Sequence, residues 1–224
     1  AHIISVVGTR RASAYGQEVT ERLLRDLSVI FPDLLVVSGL AYGIDICAHR
    51  NALKNQLPTV GVLAHGLDRI YPPVHRSTAV EMLERGGLLT DFIRRNRIVA
   101  GLADATIVIE SAEKGGSLIT ADIAFSYDRD VYAFPGRVTD INSKGCNGLI
   151  RQNKGGLITC ADDLIMAMRW DVAQKTDALP VQTQLLFPEN EESERILSFL
   201  EMRKESHINE LSVALNLPVH QLSS

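Results

Sequence analysis

Ile3-Ile4-Ser5-Val6-Val7-Gly8-Thr9-Arg10-Arg11 runs from an apolar stretch of strand type directly into a glycine and two arginines. In a doubly wound α/β sheet, ligands bind in the crevice outside the carboxyl ends of the strands. A glycine followed by cations at such an end is therefore a candidate site. The same construction returns along the chain: Ser38-Gly39, Gly115-Gly116-Ser117 and Pro135-Gly136 each follow a short apolar run. Several small glycine-containing turns are thus expected on one rim.

Working outward, strand-type runs occur at Ile3–Val7, Leu34–Val37, Thr59–Leu63, Leu88–Thr90, Thr106–Ile109, Val131–Phe134 and Leu157–Ile158. The segments between them are long enough for helices, with apolar residues three and four apart as in Val19, Leu23, Leu24 and Leu27. Helices are expected at Tyr15–Val29, Ile44–Asn55, His75–Arg85, Asn96–Leu102, Leu118–Tyr127, Asn147–Asn153 and Ala161–Met168. Uniformly apolar strands such as Leu34-Leu35-Val36-Val37 suit a parallel sheet covered on both faces, because a one-sided sheet would alternate. The fold class is α/β: an extended Rossmann-like parallel sheet with helices on both faces, over residues 1–170.

After Trp170 the sequence turns polar and irregular, and residues 171–190 read as a linker. From 191 to 224 a different pattern begins. Ile196, Leu197, Phe199 and Leu200 make one helix face and Ile208, Leu211 and Leu215 a second, as in a helix-turn-helix. The third segment, Val219 to Ser224, has no Lys or Arg and stops before a wing could form, so a docking or packing role is expected there rather than DNA recognition.

The 224 residues carry a net charge of −4, 46% hydrophobic and 5% aromatic residues. The acidity is not evenly spread. Residues 1–170 hold 19 Lys and Arg against 18 Asp and Glu, whereas 171–224 hold 4 against 9. Only a local cluster of cations could give the first domain affinity for phosphate. Cys47, Cys146 and Cys160 are odd in number and far apart, and the six histidines form no ligand spacing. A disulfide framework, a metal site and a cofactor are not expected, and the cytoplasm is. No apolar run approaches the roughly 18 residues of a membrane helix. No secretion signal is legible, and Ala1 leading straight into a strand suggests an upstream part.

Four segments carry the candidate chemistry. Gly8 allows close backbone approach, and the Arg10 and Arg11 guanidiniums can each grip phosphate through a bidentate fork; equally, the segment reads as a turn with solvated arginines. Ser38-Gly39 closes the next strand, and a helix starting near Gly43 offers unpaired N–H groups to an anion, with Asp45 as a cap or first-turn charge. Arg94-Arg95-Asn96-Arg97 is the densest cation run, backed by apolar Ile98 to Leu102, and is expected to send at least one guanidinium to the rim. Lys114-Gly115-Gly116-Ser117 opens a helix after a strand in the form of a phosphate cradle. No Gly-Lys-Ser/Thr closes it, so it is not a Walker loop, and it is not Gly-x-Gly-x-x-Gly. No Gly-x-Ser-x-Gly elbow occurs, and only Glu110 and Glu113 stand by as acid or base. Catalytic residues are not expected.

Taken in order, Val7 to Arg10, Ser38 to His49, Arg95 to Leu102, Gly116 to Thr120, Phe134-Pro135-Gly136 and Gly145 to Ile150 resemble the DNA-processing family DprA, also called Smf, over about residues 2–168. The resemblance implies a non-catalytic protein that binds and protects single-stranded DNA, forms a homodimer and loads recombinase RecA during natural transformation. It implies a strand-binding pocket drawn from Arg10, Ser38, Gly39, Gly43, Arg95, Asn96, Arg97, Lys114, Gly116 and Ser117. Gly8, Arg11, Arg94, Gly115 and Gly136 complete the expected contacts. The family commonly has more residues between Phe92 and Arg94, and a flexible DNA-gripping loop is expected there; it also often has an N-terminal helical domain, and its C-terminal winged helix is only partly matched. The competing class is an enzyme related to nucleoside-monophosphate phosphoribohydrolases, whose Pro-Gly-Gly-x-Gly-Thr turn is followed by a catalytic glutamate that this chain lacks.

Overall fold

Both faces of the central strands are apolar, and in the computed structural model both are covered. The structure describes residues 2–91 and 94–170, together with Ser212 and Ala214. The strands are β1 (Ile3–Gly8), β2 (Leu35–Ser38), β3 (Thr59–Leu63), β4 (Gly87–Thr90), β5 (Ala105–Ile109), β6 (Asp130–Ala133) and β7 (Gly156–Leu157). The helices are α1 (Ala14–Ile30), α2 (Ile44–Lys54), α3 (Arg76–Arg85), α4 (Arg95–Leu102), α5 (Gly116–Ser126), α6 (Lys144–Arg151) and α7 (Ala161–Met168). The strands form one parallel sheet in the order β4-β3-β2-β1-β5-β6-β7.

Each parallel pair needs a crossover, and right-handed crossovers place helices on opposite faces once the order reverses. Ile4 and Val6 of β1 join Val36, Ile107 and Ile109 against Leu23, Leu24 and Leu27 of α1 and Leu164 of α7. Val7, Val37 and Val108 point to the other face and pack on Val99 of α4, Ala121 and Ala124 of α5, and Leu149 of α6. Each fully buried leucine contributes about 2 kcal/mol. Two polar residues inside the sheet satisfy each other: Ser5 Oγ donates to Thr106 Oγ1 at 2.9 Å.

The chain reverses its walk across the sheet between β1 and β5. That switch point is where ligands bind in this architecture. Gly8 pairs with Ile109 at its mouth, and a side-chain carbon on Gly8 would lie 2.0 Å from Ile109 O and 2.5 Å from Ile44 Cγ1. Glycine here lets two strand ends and α2 close on one another. Thr9 N–H then donates to Glu110 O (2.7 Å), and Thr9 O accepts from Ile44 N–H (3.1 Å).

The chain divides into two units, Ala1–Val172 and Ala173–Ser224. The linker at 171–190 and the helix-turn-helix at 191–224 expected from the sequence lie outside the described residues, Ser212 and Ala214 aside, both of which are helical. Only Phe92 and Ile93 separate Asp91 from Arg94, and Arg94 N–H donates to Asp91 Oδ1 at 2.9 Å. No longer gripping loop intervenes in this chain at that point. No helix among the described residues is long and apolar enough to cross a membrane.

Candidate nucleic-acid interface

A cleft of about 230 Å³ opens at the carboxyl ends of β1 and β5. Seven residues expected from the sequence line it: Gly8, Arg10, Arg95, Asn96, Gly115, Gly116 and Ser117. They come from three separate turns, after β1, before α4 and before α5, and are brought together by the sheet order. Thr9, Ala41, Asp45, Ser111, Ala112 and Thr120 also line the cleft and were not singled out as contacts. Their signal was adjacency to the flagged glycines.

The wall made by α5 suits an anion. Gly115 caps that helix without a side-chain hydrogen bond, and its first turn holds no acid. An 11-residue helix then presents its N–H groups and positive dipole end unopposed. A side-chain carbon on Gly116 would meet nothing within 4 Å, so the approach to those N–H groups is open. Ser117 is buried, and its hydroxyl donates to Ser111 Oγ at 2.9 Å.

Arg10 and Arg95 divide what the sequence had treated as one role. Arg10 is exposed and lines the cleft and two adjoining depressions. Arg95 is drawn inward. Its Nη2 donates to Gly39 O (2.8 Å), its Nε to Val62 O (3.0 Å) and its Nη1 to Asn96 Oδ1 (3.2 Å), and Nη2 lies 3.6 Å from Asp45 Oδ2. Its guanidinium ties β2, β3 and α2 to the start of α4, with most donors committed to protein. Burial raises the Asp45 carboxyl above its ordinary range, against the pull of the Arg95 charge. The one acid on the cleft floor is thus paired, and Arg10 supplies the outward charge.

Several expected contacts lie elsewhere. Ser38 is fully buried and donates its hydroxyl to Val6 O at 2.6 Å, so it braces the sheet and does not face the cleft. Gly39 is buried because a side-chain carbon there would sit 1.9 Å from Arg95 Nη2; it makes room for the arginine. The left-handed backbone of that turn belongs to Leu40 (φ 56°) and to Gly43 (φ 77°). Gly43 caps α2 2.1 Å, at its notional side-chain carbon, from Thr9 O, and with Arg11 it lines the depression beside Arg50. Arg94, Arg97 and Lys114 are exposed but outside the cleft lining. Gly136 lies in a separate groove beside α6, where its N–H and C=O pair with the Asn147 amide at 3.2 and 3.0 Å.

The acids once open to catalysis are structural or outside the cleft. Glu110, with left-handed backbone (φ 53°), accepts from Ser13 N–H at 2.9 Å and from the Ser13 hydroxyl, clamping the N-cap of α1 to the end of β5. Glu113 is exposed and lines the α6 groove. Burial pushes the Cys146 thiol up to about 12, which removes it as a nucleophile. Among the described residues, no three His, Cys, Asp or Glu side chains are grouped to hold a metal.

The family model for DNA recombination-mediator protein A matches residues 1–169. The chain belongs to that family. Its sequence is 37% identical over 173 residues to the DNA processing protein DprA of Streptococcus pneumoniae, covering 72% of this chain and 60% of the relative. It is 36% identical over 170 residues to that of Bacillus subtilis, covering 71% and 57%. The matched region thus spans less than two thirds of these relatives' own length. The Streptococcus pneumoniae structure superimposes with a TM-score of 0.66, covering 74% of this chain and 61% of the other. A Helicobacter pylori family structure, described for its single-stranded DNA binding mode, gives 0.66 at 29% identity, covering 75% and 80%.

Proposed function

We propose that this chain is a single-stranded DNA-binding member of its family and that the cleft between β1 and β5 holds consecutive phosphates of the strand. The observation that carries this is the uncapped start of α5, opened by Gly116, facing the exposed Arg10 across a narrow cleft. Backbone N–H groups read phosphate without reading bases, so sequence preference is weak. Arg11 and Arg50, lining the depression that Arg10 shares, extend the cationic path. The Helicobacter pylori relative's description supports the ligand class. Protection of incoming DNA, a homodimer, a cytoplasmic setting and delivery of recombinase RecA during transformation are the finer reading and rest on the family.

The test is fluorescence anisotropy of labelled oligo-dT and of duplex of equal length across a salt series. The expected result is tighter binding of the single strand, weakening linearly with log salt. Equal affinity for both, or none for either, overturns the proposal. The enzymatic alternative predicts release of free base from AMP; the first turn of α5 has no acid to supply the needed carboxylate, and none is expected to be released.

A further inference from the structure

The two ends of the sheet are finished differently. β7 at one end is two residues long and offers an outside strand little to pair with. β4 at the other end, Gly87-Leu88-Leu89-Thr90, has neither a charged residue nor a proline, the usual devices that keep an edge from pairing. Asp91 N–H donates to Leu63 O at 3.1 Å, so the odd-numbered residues of this segment bond to β3, and the N–H and C=O groups of Leu88 and Thr90 point away from the sheet. Among the described residues, no backbone group outside the sheet reaches them.

α3 borders this edge with an apolar face. Ala79 and Met82 turn into the core, whereas Val80 and Leu83, three residues apart and so on one side of the helix, are 56% and 60% exposed. With Leu67, Ile70 and Leu88 they line a groove of about 350 Å³. A single exposed leucine is ordinary, but a cluster of apolar side chains along an open strand edge marks an interaction surface. Charge at the groove is one-sided too. Arg69 and Arg76 are exposed in its lining and hold no ion pair among the described residues, Asp68 is the one acid there, and Glu81 and Glu84 of α3 lie outside it.

We infer that β4 is a docking edge for an extended segment of a partner protein, one whose alternate side chains are apolar and which carries carboxylates beside them. The segment adds as one further strand, pairing with the outward groups of Leu88 and Thr90. Every second side chain then turns onto the α3 face against Val80, Leu83 and Leu88, and Arg69 and Arg76 take the carboxylates. The groove shares no lining residue with the phosphate cleft, so the inference stands apart from the DNA reading.

The experiment titrates the full chain against three labelled peptides, Thr-Val-Thr-Leu-Thr-Asp-Asp and its counterparts ending in Asn-Asn and Lys-Lys, with amide hydrogen exchange read at single residues. The Asp peptide is expected to bind saturably, several-fold tighter than the Asn peptide, with the Lys peptide weakest. Leu83→Ser is expected to weaken that binding about tenfold, the scale of a partly buried leucine, and Arg76→Gln to shrink the preference for Asp over Asn, with oligo-dT affinity unchanged in both. The Leu88 and Thr90 amides should exchange quickly in the free protein and slowly with the Asp peptide bound. No saturable binding below about 1 mM, equal binding of the three peptides, binding that Leu83→Ser leaves unchanged, or binding without slowed exchange overturns the proposal. So does slow exchange at Leu88 and Thr90 before any peptide is added, which would show the edge already covered, by the chain itself or, where it grows with protein concentration, by a second copy.

Discussion

The cleft at β1 and β5 and the groove beside α6 differ in the opposite sense from their sizes. The groove, about 770 Å³, is more than three times larger and carries Lys144, Arg151 and Lys154, yet it also exposes Glu113 and Asp122, and Lys154 Nζ already pairs with Asp122 Oδ1 at 2.8 Å. The cleft is small, and its walls are tied across elements: Thr9 to Glu110 and Ile44, Arg95 to Gly39 and Val62, and Ser117 to Ser111. Exposed ion pairs contribute little and rearrange easily. The proposed binding site is set apart from the groove by how firmly its walls are held and by which polar groups they leave facing outward, and volume does not select it.

The comparison breaks most visibly at glycines. Gly8→Ala would put a methyl 2.0 Å from Ile109 O, and is expected to cost more than about 3 kcal/mol of stability in urea unfolding, because backbone must shift. An effect near zero would mean the cleft walls are loose. Between α2 and β3, burial holds the His49 imidazole down to about 3, helped by the Arg95 and His75 charges. Its Nδ1–H donates to Thr59 Oγ1 (2.7 Å) and its Nε2 has no partner among the described residues.

The unfolded chain protonates this histidine through its ordinary value, so between about pH 6.5 and 3 the unfolded state binds more protons and stability falls as pH falls. A loss of roughly 3 kcal/mol by pH 4 is expected, at about 1.4 kcal/mol per unit. His49→Leu should remove that slope, as read from urea curves at pH 7 and pH 4. An unchanged slope would show that other groups dominate.

Binding separates the two regions next. Arg10→Ala is expected to weaken oligo-dT binding by about 1–3 kcal/mol and to flatten the salt slope by about one unit. Lys144→Ala in the groove should do less on both measures; the reverse order in anisotropy titrations would move the phosphate path to α6. The finest test uses two glycines whose added methyl meets nothing within 4 Å. Gly116→Ala should leave stability unchanged and weaken binding several-fold, because its space belongs to the ligand. Gly148→Ala, inside α6, should raise stability by roughly 0.5–1 kcal/mol and leave binding alone.

Within residues 2–170, all seven strands and all seven α-helices were legible from periodicity, because a sheet buried on both faces writes itself as short runs of Ile, Val and Leu. Boundaries moved by one to three residues, as at Asp130–Ala133 and at the start of α6, Lys144. The rim positions were legible too, but the roles of their side chains were not. Ser38 and Gly39 look like ligand contacts in sequence, and only the fold brings Val6 and Arg95 against them, the latter from 56 residues away. Three neighbouring arginines look alike in sequence, yet only Arg95 meets the Asp45 carboxylate and two strand-end carbonyls, which draws it inward. Gly136 shares the turn chemistry of the others but follows β6, one strand beyond the switch point, and so opens into a separate groove.

The clamp between Ser13 and Glu110 has a consequence for kinetics and affinity alike. With Thr9 tied to Glu110 and Ile44 on one side of Arg10 and Ser13 tied to Glu110 on the other, the loop presenting that arginine has surrendered its conformational freedom during folding. A polyanion docking there need not order it, so the entropy that a floppy loop would forfeit at the moment of capture, about 1–2 kcal/mol per residue fixed, is spared, and attachment proceeds as a rigid-surface encounter.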